Sequence, residues 1–157
     1  MPLLVLFDVD GTLFLTHDAL AGQALRETLE THFGANLPED ALERVPHPGQ
    51  TSLKVARLVL HGAALDDRAI DAGLRDWCPE FGERYLELLA RADTSTWEAA
   101  TGAAAALSRL QAAGYQLALW TGNPEPMARA RMELLGLDAY FCAGQGAFGC
   151  DADRGAR

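Results

Sequence analysis

Lysine is almost missing from the chain: Lys54 stands alone among 13 cationic side chains, against 22 acids, and no basic block occurs anywhere in the 157 residues. Nucleic acids are held chiefly by clustered Lys and Arg on phosphates, so a net charge of −9 without such a cluster excludes DNA and RNA as expected partners. Long apolar runs are missing too. None approaches the roughly 20 residues that cross a bilayer, so no membrane partner is expected. Leu3–Phe7 is too short for the apolar core of a secretory signal and has no basic residue before it. Cysteine is scarce as well: Cys78, Cys142 and Cys150 are odd in number, far apart and without Cys-x-x-Cys spacing. That argues against a disulfide framework and against a zinc site, and it fits a reducing cytoplasm.

Hydrophobic residues at 49% and charged residues at 22% lie near the globular average, which excludes a disordered or fibrous chain. The length suffices for one ordinary domain with a real core. Leu3–Phe7 is a short, continuous apolar run ended by Asp8 and reads as a strand buried on both faces. Leu20, Ala24, Leu25, Leu29 and Phe33 recur at helical spacing before Gly34, predicting a helix over 19–33. The Pro- and Gly-rich loop 45–50 leads to Thr51, a cap for a helix reaching Gly62. Apolar residues from Ile70 to Leu88 repeat at three- and four-residue steps, with Pro79 expected to kink or split that helix.

Residues 102–113 read as an alanine-rich helix stopped by Gly114, and Gln116–Trp120 as a second strand. Asn123 as N-cap and Pro124 at the first helical position open another helix, closed by Gly136. Residues 139–143 are expected to form a third strand. This order predicts an α/β fold, a Rossmann-like parallel sheet with an inserted all-helical segment. Ligands in such sheets bind at the carboxyl ends of the strands, here Asp8 and Thr121.

Both ends carry chemistry. Phe7-Asp-Val-Asp-Gly-Thr-Leu13 sets two carboxylates two residues apart after a strand, so in extended backbone both face one side. Like charges that close call for a cation or a shared proton. Magnesium, a hard ion that takes oxygen ligands and keeps several waters, leaves room for a phosphate. A calcium loop does not fit, because its glycine would be sixth and Gly11 is fourth. At the second end, Leu119-Trp-Thr-Gly-Asn123 runs from a strand into a hydroxyl and a helix N-terminus, whose free N–H groups and dipole favour an anion.

These two strings together resemble the haloacid-dehalogenase superfamily, in the branch of phosphoglycolate-phosphatase-like hydrolases with a helical cap. The resemblance implies a core of residues 1–15 and 93–157 and a cap of residues 16–92, with hinges at Gly11–Thr16 and Ala92–Glu98. It implies that Asp8 attacks phosphorus and that Asp10 protonates the leaving oxygen and then activates water. Mg2+ would be held by Asp8 and by the backbone carbonyl of Asp10. Gly11, Thr12, Thr121, Gly122 and Asn123 would surround the phosphoryl group of a small phosphorylated metabolite. The loop with His47, Gly49, Gln50 and Thr51 matches one that carries substrate contacts, with Ser52 where an Asp is common.

Arg154 stands where the family has a basic residue, usually Lys, between nucleophile and phosphate. The family's fourth motif, acids that complete the metal site, has no counterpart before Arg157, so the chain is expected to be the N-terminal part of a longer protein. Asp10 favours phosphate chemistry over dehalogenation. A phosphomutase stays open, as does a non-catalytic binding module lacking the metal acids.

Overall fold

A computed structural model of the chain describes residues 3–151. Three parallel strands form a sheet in the order β1-β2-β3: β1 at Leu4–Phe7, β2 at Gln116–Trp120 and β3 at Gly146–Ala147. Between β1 and β2 lie four helices, α1 (Ala19–Phe33), α2 (Ser52–Gly62), α3 (Asp67–Leu89) and α4 (Ala103–Ala112), and α5 (Glu125–Leu134) follows β2. The fold is the expected α/β class. Among the described residues no helix is long and apolar enough to cross a membrane.

Local signals explain most element ends. Asp18 caps α1 by accepting from the Leu20 N–H at 2.9 Å, and Gly34 ends it in the left-handed conformation at φ 61°. Thr51 caps α2 by accepting from the Lys54 N–H at 3.2 Å. Helix α3 runs unbroken through Pro79, so the expected split does not occur. A proline inside a helix costs about 3 kcal/mol or more, and here the turns on both sides are pinned by burial of Trp77, Cys78, Phe81 and Tyr85. The Trp77 ring stacks on Phe81 with centroids 5.2 Å apart, and its Nε1 donates to the Thr28 hydroxyl at 2.9 Å.

Three further expectations are corrected. First, β1 is not buried on both faces: it pairs only with β2 among the described residues, and Leu4 and Leu6 are 55% and 46% exposed. The buried strand is β2, through Leu117, Ala118 and Leu119. Second, residues 139–143 are not a strand. Asp138–Tyr140 forms a 3-10 turn, and the guanidinium of Arg129 takes the carbonyls of Phe141, Cys142 and Gln145 at 3.0, 2.9 and 3.0 Å, leaving β3 to form later, where Gly146 and Ala147 pair with Leu119 and Trp120. Third, α5 starts at Glu125 with Pro124 as its N-cap, because the Asn123 side chain is used elsewhere.

Apolar burial falls into two clusters. One gathers the inner faces of α1, α2 and α3; the other packs β2, the turn after β1, α4 and α5 around Leu119, Phe14 and Met132. Helix α5 serves both, since Met127 joins the first cluster while Ala128 and Met132 join the second.

A disulfide joins Cys78 of α3 to Cys150 after β3, with Cα atoms 6.1 Å apart. This overturns the expectation of no disulfide. Separation along the sequence said nothing about separation in space once α3 packed against the turn that follows β3. Closing a loop of 72 residues is worth roughly 2–4 kcal/mol. Replacing both cysteines by serine is expected to lower unfolding free energy by that amount in denaturant titrations run without reductant. With reductant present the two proteins should unfold alike.

Candidate active site

The turn after β1 is built round the buried Val9. Its carbonyl accepts from the N–H groups of Leu13 and Phe14, both at 2.9 Å, and of Thr12 at 3.3 Å, while the Gly11 N–H reaches the Phe14 carbonyl at 2.9 Å. Gly11 holds φ 73°, a conformation that costs glycine little and other residues more. With Val9 turned into the core, its neighbours Asp8 and Asp10 both stand exposed at the carboxyl end of β1. Asp8 accepts from the Val9 N–H at 2.8 Å.

Parallel register sets Phe7 beside Leu119, so the carboxyl end of β2 opens next to Asp8. Thr121 is 5% exposed; its N–H donates to the Ala147 carbonyl at 3.0 Å, and its hydroxyl oxygen accepts from Asn123 N and Nδ2 at 3.3 and 3.2 Å. The same Asn123 amide donates to Asp10 Oδ2. One side chain therefore ties the two strand ends together, which is why it does not cap α5.

Backbone approaches backbone at this point. The Gly122 carbonyl accepts from both the N–H and the hydroxyl of Ser52, each at 2.8 Å, and the Gly149 N–H donates to the Asn123 carbonyl at 2.8 Å. A Cβ on Gly122 would collide with the Gln50 carbonyl oxygen, and one on Gly149 with the Gly122 carbonyl. Neither obstacle is a side chain that can swing away. Gly122→Ala is expected to destabilise the chain by about 1–3 kcal/mol, read as a shift in the midpoint of denaturant unfolding.

Asp8, Asp10, Gly11, Thr12, Thr121, Gly122 and Asn123 thus lie on adjoining turns at one end of the sheet, and Gln50, Thr51 and Ser52 reach them through Gly122. His47 is turned back into its own loop, with Nε2 2.7 Å from the Leu42 carbonyl, and Gly49 is an exposed turn residue at φ 72°. Thr51 is committed to capping α2. Arg154 lies outside the described residues. Among the described residues no group of three or more His, Cys, Asp or Glu gathers as a metal site.

Sequence reading passed over Arg131. This α5 residue is 2% exposed and sends Nη1 to Asp10 Oδ1 at 2.8 Å, Nη2 to Asp18 Oδ2 at 2.7 Å and Nε to the Tyr85 hydroxyl at 3.2 Å. Burial opposes its charge, yet the negative charge of Asp10 and hydrogen bonds to Asp18 and Tyr85 hold its pKa above the ordinary arginine value. Burial also pushes the Tyr85 phenol up, helped by its 2.7 Å hydrogen bond to Asp18. A signal existed: Arg131 falls on the apolar stripe of Met127, Ala128 and Met132, and a charge on a buried face demands a partner.

Comparison with known proteins bears on the family and the fold. The chain is 35% identical over 138 residues to a phosphoglycolate phosphatase of Rhodospirillum rubrum, covering 87% of this chain and 55% of that protein. Among solved structures, a family IA, variant 3 HAD hydrolase from Entamoeba histolytica matches with TM-score 0.55 at 19% identity, over 94% of this chain and 61% of that one. A "predicted phosphoglycolate phosphatase" from Haemophilus somnus matches with TM-score 0.53 at 21% identity, over 94% and 62%. These structures share the fold. The chain spans about half the length of the curated relative and about three fifths of the two structures. The family model of haloacid dehalogenase-like hydrolases matches residues 3–149, and the chain belongs to that family.

Proposed function

We propose that the chain carries the nucleophile and the acid–base residue of a phosphatase that hydrolyses a small phosphomonoester through an aspartyl-phosphate. The observation that carries this reading is the pair Asp8 and Asp10, displayed on either side of buried Val9, with Asp10 joined through Asn123 to the turn after β2. Asp8 is exposed, and the one hydrogen bond its carboxylate makes among the described residues, from its neighbour's N–H, leaves an oxygen for phosphorus. As that bond forms, the bond to the leaving oxygen breaks, and Asp10 supplies the proton; in the second half Asp10 takes a proton from the water that attacks phosphorus and frees Asp8. The Thr121 hydroxyl and the dipole at the N-terminus of α5 favour the phosphoryl oxygens. Arg154, outside the described residues, is proposed for the role of the family's basic residue.

Mg2+ fits the donors present, since the Asp8 carboxylate and the Asp10 carbonyl are hard oxygens and the ion tolerates water in its other positions. Bound there, it would offset the charge between carboxylate and phosphate. Residues 16–92 are proposed as a cap over a core of 1–15 and 93–157, bringing Gln50 and Thr51 to the substrate. The 35% identity to a phosphoglycolate phosphatase supports a small phosphorylated metabolite. Such a substrate goes with the cytoplasmic setting proposed for the chain. Release of phosphate from an aryl phosphate, with and without Mg2+, tests the reading: turnover that requires the metal is expected, and no release under either condition would refute it.

A further inference from the structure

The guanidinium of Arg131 is shared between two parts of the molecule. Toward the sheet it holds Asp10 Oδ1; toward the helices it holds Asp18, the N-cap of α1, and the hydroxyl of Tyr85 on α3. Its Cζ also lies over the rings of Phe14 and Tyr85, 4.9 and 5.5 Å from their centroids. A guanidinium is a planar, rigid fork, so its bonds are not independent: turning it to follow Asp18 or Tyr85 turns the donor that Asp10 accepts from. The other carboxylate oxygen of Asp10 is on Asn123. With both oxygens accounted for, the orientation of Asp10 depends on where α1 and α3 sit against α5.

We propose that Arg131 is a positioning residue for Asp10, fixing the direction of its carboxylate and coupling that direction to the seating of α1 and α3. Its effect on turnover rests on the phosphatase reading; the coupling itself does not. The role belongs to the fork rather than to the charge, because an ammonium at this position is a point donor that cannot bridge Asp10 and Asp18 in fixed geometry.

The test is hydrogen exchange on the chain and on Asp10→Asn, in the parent and in an Arg131→Lys background. If Arg131 transmits the state of Asp10, the Asn variant exchanges about tenfold faster at amides near the start of α1 and around Tyr85, the size of one hydrogen bond to a charged group. That increment should vanish in the Lys background. Unchanged exchange in Asp10→Asn, or an equal increment in both backgrounds, overturns the proposal, since a strut that merely fills space would not report on Asp10. Turnover gives a second readout: Arg131→Lys is expected to lose about 10²-fold in kcat, the scale for a misplaced catalytic group, with KM nearly unchanged. Tyr85→Phe, which removes only a hydroxyl, should lower kcat in the same direction, keeping the question decidable should the Lys variant fold poorly. An active parent whose kcat neither variant changes overturns the proposal. A parent with no phosphatase activity counts against the functional reading alone, and the exchange comparison still decides this one.

Discussion

Asp8→Asn is expected to remove phosphomonoester turnover, by about 10⁴-fold or more, the range seen when a covalent catalyst loses its nucleophile. The fold should not notice. Asp8 is exposed, and its recorded hydrogen bond is an acceptance from the Val9 N–H that an amide oxygen can make equally well. Unfolding free energy is therefore expected to stay within about 0.5 kcal/mol of the parent. The check is kcat beside a denaturant curve on one preparation. Undiminished turnover would remove Asp8 from the mechanism, and a large stability loss would mean that its carboxylate has a structural duty the geometry does not suggest.

Asp10→Asn should slow turnover by about 10²- to 10⁴-fold, the usual worth of a positioned proton donor and acceptor. Two effects combine. The amide cannot give up a proton to the leaving oxygen, and it offers one acceptor where Arg131 and Asn123 both donate, so the position also loses its fixed orientation. The first effect depends on the leaving group. An alkyl phosphate, whose alkoxide needs the proton, should suffer more than an aryl phosphate, whose phenolate leaves unaided. Measuring both substrates with parent and variant separates the roles: equal losses would point to orientation alone and refute proton transfer by Asp10.

The parts of the fold legible in the sequence were those governed by neighbours in the chain. Helix α1 ends where Gly34 allows the left-handed turn, α2 begins at the Thr51 hydroxyl, and β2 occupies the apolar run Gln116–Trp120. Misreadings came where a distant group competed for a local one. Asn123 has the chemistry of an N-cap, but Asp10 and Thr121 take its side chain. Residues 139–143 have strand composition, but Arg129 binds the carbonyls that a ladder would use. Proline breaks helices in isolation, yet burial on both sides of Pro79 keeps α3 unbroken.

The candidate site followed the same division. Asp8, Asp10 and Thr121 stand directly after apolar strands, so a parallel sheet alone brings them to one edge. The seating of Gln50 and Ser52 against Gly122 depends on how α2 docks, and no local pattern encodes it. The pairing of Cys78 with Cys150 is of this kind too. Arg131 was hidden differently: its spacing marked it as buried, but its partners Asp10, Asp18 and Tyr85 come from three separate stretches of chain.

The central claim is that phosphorus passes through Asp8, and chemical trapping tests it most directly. Borohydride reduces an aspartyl-phosphate to homoserine, so the chain should be quenched with it during turnover of an aryl phosphate in Mg2+ and its peptides sequenced by mass spectrometry. Homoserine at position 8 and nowhere else, absent when substrate is omitted, is the predicted result. Hydrolysis that proceeds with Asp8 unmodified, or a label at any other carboxylate, would contradict the account.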